Sequence, residues 1–212
     1  KAAADFVLST ATKAIAERGK FKLVVAGGTT PLATYNLLKD SDADWYKWHI
    51  FYGDERCLNP SDPERNSTMV RNTWLNHVPI PEVNIHTIKA ASGPANGAHE
   101  YSKIIQESMP FDLVILGMGE DGHTASLFPG HRHPDDELVL PVFNSPKPPP
   151  ERVSLSKQAL SASDKILLLI TGSGKEEAIK MWQAGIELPI NSFNSNQNIQ
   201  LYIDRDAASK LI

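Results

Sequence analysis

Residues 117–130 read Gly-Met-Gly-Glu-Asp-Gly-His-Thr-Ala-Ser-Leu-Phe-Pro-Gly, the densest chemical signal in the chain. Histidine is the side chain whose unperturbed pKa lies nearest neutrality, so His123 is suited to take a proton from water, and Asp121 is spaced to orient its ring. A single histidine more often serves packing. This one stands in a glycine-rich loop directly after an apolar run, where no packing duty is evident, and it is read as a general base. His131 and His133, with Asp121, Asp135 and Asp136, offer nitrogen and oxygen ligands, but their spacing matches no metal-ligand pattern and solvated histidines are expected.

Two glycine turns promise anion binding. In Gly27-Gly28-Thr29-Thr30-Pro31, glycine permits close backbone approach, a threonine is expected to cap the following helix, and proline suits its first turn. Free amides at such a helix start attract phosphate, although a ligand-free turn has the same pattern. The second turn, Thr171-Gly172-Ser173-Gly174-Lys175, adds an ammonium that is electrostatically misplaced at a helix start unless an anion compensates it.

Two further charged positions join these. Gly53-Asp54-Glu55-Arg56 follows another apolar run and precedes Asn66 and Ser67 at an expected helix start. Alone, the cluster reads as an exposed loop with a local ion pair; beside the other loops, Asp54 and Arg56 become candidates for a polar site. Arg152, at the expected start of a strand, is suited to grip phosphate in bidentate fashion, although taken alone it reads as a surface arginine.

These loops need elements to converge them. Apolar runs at 21–26, 49–52, 111–116, 165–170 and 199–203 read as strands buried on both faces, and helical patterns at 2–18, 31–39, 63–76, 95–107 and 175–183 alternate with them. The alternation predicts an α/β fold, a doubly wound and largely parallel sheet flanked by helices, in which ligands bind beyond the carboxyl ends of the strands. The proline-rich stretch 144–150 reads as a surface loop, and residues 1–212 as a single domain.

The bulk numbers narrow the partners. A net charge of −4, from 21 basic and 25 acidic residues, lacks the excess that draws a protein to nucleic acid or anionic lipid. There is no apolar run of bilayer length and no signal-peptide core, and the sole cysteine, Cys57, rules out an intrachain disulfide. A cytoplasmic protein with a small-molecule ligand is expected, as a monomer or weak homodimer.

Taken together, the segments at 27–31, 53–56 with Asn66 and Ser67, and above all 121–130 resemble the 6-phosphogluconolactonase family, with matching segments around Arg152 and at 172–175. The resemblance implies the fold of glucosamine-6-phosphate deaminase and hydrolysis of 6-phospho-D-glucono-1,5-lactone to 6-phosphogluconate in the oxidative pentose phosphate pathway, without metal or cofactor. By the same matching, His123 falls on the base and Arg56 on a substrate-facing arginine. Asp54 and Asp121 fall on acidic site positions, and Gly27, Gly28, Thr29, Thr30, Arg152 and Lys175 on the sugar-phosphate site. Position 29 carries threonine where serine is usual, and the chain opens on a helical pattern rather than on the family's first strand. An aminosugar-phosphate deaminase would carry glutamate seven residues after Asp121, where this chain has Phe128, and a catalytically silent sugar-phosphate sensor would have lost His123.

Overall fold

A computed structural model describes residues 1–132, 134, 136–193 and 198–209. In chain order the elements are α1 (Ala2–Arg18), β1 (Phe21–Val25), α2 (Thr29–Leu38), β2 (Trp48–Tyr52), β3 (Asp54–Arg56), α3 (Asn66–Thr73), β4 (Ile85–His86), α4 (Pro94–Ser108), β5 (Leu113–Gly117), β6 (Val139–Val142), β7 (Arg152–Leu155), α5 (Lys157–Ser161), β8 (Lys165–Ile170), α6 (Glu176–Gln183) and β9 (Asn198–Ile203).

Six strands form one sheet in the order β4-β2-β1-β5-β8-β9, and every pairing in it is parallel. The expected doubly wound sheet is therefore present. From β1 the chain builds outward through β2 and β4, whereas from β5 it builds the other way through β8 and β9, so the order reverses between β1 and β5. At such a switch point the loops leaving adjacent strands diverge and open a crevice. The apolar runs made these strands because both faces of a parallel sheet are covered: Leu23, Val24, Leu113, Val114, Ile115, Ile166 and Leu167 are all fully buried.

A second, antiparallel sheet, β3-β7-β6, was not expected from the sequence. It turns the charged triplet Asp54–Arg56 into a strand paired with Arg152–Leu155, and so overturns the exposed-loop reading of that cluster: Asp54 and Glu55 are buried. Pro141 is tolerated in β6 because β6 is an edge strand with one free side. Helix α4 packs against β6 and β7.

Two buried tyrosines fix strand ends that feed the crevice. The hydroxyl of Tyr35, on α2, accepts from the Ala26 amide and donates to the Ala26 carbonyl, both at 3.0 Å. From α4, the Tyr101 hydroxyl does the same for Tyr52 at the end of β2, at 2.8 and 3.2 Å. The far end of the sheet is tied by Asp112, which accepts from the Lys22 amide at 2.6 Å and from Arg18 Nε at 3.0 Å. Among the described residues no helix is long and apolar enough to cross a membrane.

Candidate active site

A cleft of about 360 Å³ opens at the switch point, lined by the loops that leave β1, β2, β5 and β8 together with the proline-rich loop. All four strand ends singled out from the sequence contribute to it, so residues scattered from Gly27 to Lys175 meet in one place.

The loop after β5 shapes the reactive wall. Its ends are joined by the Gly119 amide donating to the His123 carbonyl at 2.8 Å, which folds the imidazole back over Gly119. A Cβ on Gly119 would lie 2.1 Å from both Nδ1 and Cε1 of that ring, so only glycine fits beneath it. His123 Nδ1 donates to Asp121 Oδ1 at 2.5 Å, and one face of the ring lies 4.6 Å from the Phe128 ring. With Nδ1 carrying the proton, Nε2 is left as an acceptor, and the side chain retains 19% exposure at the cleft wall. Burial works to raise the Asp121 pKa, but the hydrogen bond and charge of His123 outweigh it and hold the carboxyl below its ordinary value.

The start of α2 lines the same cleft. The residue before the helix is Gly28, no side chain caps the helix there, and the first intrahelical bond runs from Leu32 N to Gly28 O at 3.1 Å. The amides of the first turn therefore face the cleft without helical partners and carry the positive end of the dipole. The expected threonine cap is absent: Thr30 spends its hydroxyl on that of Thr171, 2.5 Å away, joining α2 to the loop after β8. Gly27 is fixed by contact, since a Cβ there would lie 1.9 Å from Asn66 Oδ1.

The cations behave differently from one another. Lys175 enters the cleft, and its pKa is lowered, first by burial and also by Lys147, against the raising effect of Glu120 and Asp121. The glycine turn before it is less free than its sequence suggests, because the Gly172 amide already donates to the Asp204 carboxylate at 3.1 Å. Arg152 is 3% exposed, and burial lowers its pKa. Its Nε donates to Pro149 O at 3.1 Å and its Nη2 to the carbonyls of Lys147 and Pro148 at 3.0 and 2.8 Å. Arg152 thus spends Nε and Nη2 on the proline-rich loop, while its Nη1 lies 3.5 Å from Ser126 Oγ and the residue lines the cleft. Arg56 also reaches the cleft and donates from Nη1 to Glu64 O at 2.5 Å.

Asp54 belongs to the support of the cleft. Its two oxygens accept from Asn66 Nδ2 at 2.7 Å and Ser126 Oγ at 2.6 Å, and Arg152 Nη1 lies 4.0 Å away. This geometry ties Asp54, at the cleft wall, to the segments that carry Asn66, Ser126 and Arg152. Sequence reasoning missed Glu55, which is fully buried and accepts from the amides of Asn66 and Ser67 at 2.8 and 2.9 Å, capping α3 from another strand. It also missed Ser126, although Ser126 sits in the 121–130 motif that marked the site. Among the described residues no three of His, Cys, Asp and Glu gather as metal ligands; His131 is exposed, and His133 and Asp135 lie outside the described residues.

The sequence model of the family described as glucosamine-6-phosphate isomerases/6-phosphogluconolactonase matches residues 1–202. The chain belongs to this family. Among its relatives, the 6-phosphogluconolactonase of Mycobacterium tuberculosis is 35% identical over 93% of this chain and 88% of its own length. The 6-phosphogluconolactonase 3, chloroplastic, of Arabidopsis thaliana is 31% identical over 98% of this chain and 70% of its own. Of solved structures, the 6-phosphogluconolactonase of Thermotoga maritima superposes with a TM-score of 0.87 at 29% identity, covering 94% of both chains. A monomeric glucosamine-6-phosphate deaminase superposes at 0.84 with 22% identity, which establishes the shared fold of the family's two branches and no more. Within this family, the member described here has Phe128, fully buried against His123 and beneath Arg152, seven residues after Asp121.

Proposed function

We propose that this family member is a lactonase, acting as one sugar-phosphate domain, that hydrolyses 6-phospho-D-glucono-1,5-lactone to 6-phosphogluconate. The observation that carries this reading is the His123 imidazole, held at Nδ1 by Asp121 and facing a cleft that the uncapped start of α2 and Lys175 also line. A cleft with a base and an anion site in its lining suits a substrate that carries both a phosphate and a carbonyl. Dipole, amides and ammonium anchor the dianion, and the remaining length brings C1 toward the imidazole.

His123 Nε2 takes a proton from water as the oxygen adds to C1, and Asp121 stabilises the imidazolium that forms. The tetrahedral oxyanion collapses, the C1 to ring-oxygen bond breaks, and the imidazolium returns the proton to the departing oxygen. The product is an open-chain carboxylic acid, which releases its remaining proton to solvent and leaves as the carboxylate. Because an activated ester needs little more than one placed base, His123→Ala should lower kcat by ~10² to 10⁴ while the circular dichroism spectrum stays unchanged. Turnover near that of the parent, measured on freshly prepared lactone against its spontaneous decay, would refute the role. A deaminase is disfavoured because Phe128 has no proton to move; release of ammonia from glucosamine 6-phosphate would reverse the preference.

A further inference from the structure

Glu120 lies across the mouth of the cleft between two lysine-bearing loops. Its Oε2 is 3.2 Å from Lys147 Nζ, and its Oε1 faces the 172–175 turn, 3.5 Å from where a Cβ on Gly174 would stand. Glu120, Lys147 and Lys175 all line the cleft. Lys147 belongs to the proline-rich loop, and its own carbonyl is one of the three that Arg152 holds. The backbone beneath Lys147 is therefore anchored while its side chain stays 44% exposed.

We propose that Lys147 is a further substrate-phosphate cation that sets the preference for phosphorylated lactones, and that Glu120 holds it until the phosphate displaces the carboxylate. The inference rests on the lactonase reading above. Arg152 has spent three of its donors on backbone carbonyls, and Lys147, bridged by Glu120 toward the turn that carries Lys175, adds a second ammonium at that side of the cleft. An exposed lysine–glutamate pair stabilises little and exchanges readily, whereas a phosphate carries up to twice the charge of a carboxylate and three acceptor oxygens. Lys147 already lies near enough to lower the pKa of Lys175, with Glu120 opposing that repulsion. A phosphate between the two ammoniums would take over the part Glu120 plays.

The test uses the full chain and the variants Lys147→Met, Lys147→Arg, Glu120→Gln and the double variant Lys147→Met with Glu120→Gln. Kinetics on the phosphorylated lactone and on unphosphorylated glucono-1,5-lactone are set beside calorimetric binding of inorganic phosphate. Lys147→Met should raise KM for the phosphorylated lactone and weaken phosphate binding about tenfold, with kcat within about twofold and kcat/KM for the unphosphorylated lactone unmoved; Lys147→Arg should restore most of the loss. Glu120→Gln should lower KM about threefold, a gain absent from the double variant. Equal losses on both lactones, or unchanged phosphate binding in Lys147→Met, would overturn the proposal. A parent protein that binds phosphate but opens neither lactone would instead count against the lactonase reading, leaving the phosphate titration to decide the role of Lys147.

Discussion

At the residue scale, the imidazole of His123 depends on what is missing beneath it. Gly119→Ala would put a methyl group 2.1 Å from two ring atoms, and the loop is pinned by the bond from the Gly119 amide to the His123 carbonyl, so the ring is the part that moves. A displacement of about 1 Å costs on the order of 10² in rate. The expected outcome is that loss in kcat with melting temperature nearly unchanged, and a variant of parental kcat would show that the ring position does not matter. The same residues set the pH response. Asp121, held below the ordinary carboxylate value, stays ionised throughout neutrality and protonates at a lower pH than an ordinary carboxylate. Lys175, lowered by burial, gives up its proton at lower pH than an ordinary lysine. The kcat/KM profile is therefore expected to fall on its alkaline limb before the usual lysine range, and Lys175→Arg should move that limb upward. Most of these groups were legible as residues: His123 and Asp121 by motif, Arg56 and Lys175 by charge at a strand end. Glu55 was not, because its burial depends on β3 pairing with a strand about 100 residues further along. For the same reason the carbonyls that hold the Arg152 fork were not legible, since they belong to a loop whose path no side chain announces.

At the scale of elements, α3 has no cap of its own and borrows one. Its N-terminal residue is preceded by Arg65, whose side chain makes no capping bond, and the first two amides are satisfied by Glu55 instead. Arg65 Nε completes the arrangement at 3.3 Å from the same carboxylate. Removing a buried charge with this many partners leaves an arginine and the three amides of Arg56, Asn66 and Ser67 without it, so Glu55→Ala should cost about 3 to 5 kcal/mol. In a chain of this length that lowers the melting temperature by roughly 10 °C, readable by calorimetry; a drop of only a degree or two would mean that water replaces the cap without loss. The long strands were legible because burial on both faces selects unbroken apolar runs. The small sheet was not, because β3 is three charged or polar residues and β6 contains a proline, and only tertiary pairing makes strands of them.

At the scale of the molecule, the cleft follows from strand order alone: reversal between β1 and β5 places two glycine loops side by side, and every other contribution is added to that gap. Three buried tyrosines, two that hold strand ends and the one held by Tyr101, carry a consequence for strongly basic solution. Tyr35, Tyr52 and Tyr101 are three of the chain's five tyrosines. All are fully enclosed, and burial drives each phenol far above its ordinary pKa. A phenol that ionises in the open chain near pH 10 but not in the native one draws the equilibrium toward opening as base is added, so native stability should be intact below that pH and erode above it. Ultraviolet absorbance at the phenolate band should then rise in two stages, the second coinciding with loss of the far-ultraviolet dichroism. A single smooth rise with the dichroism intact would mean that hydroxide reaches the interior without unlocking the sheet.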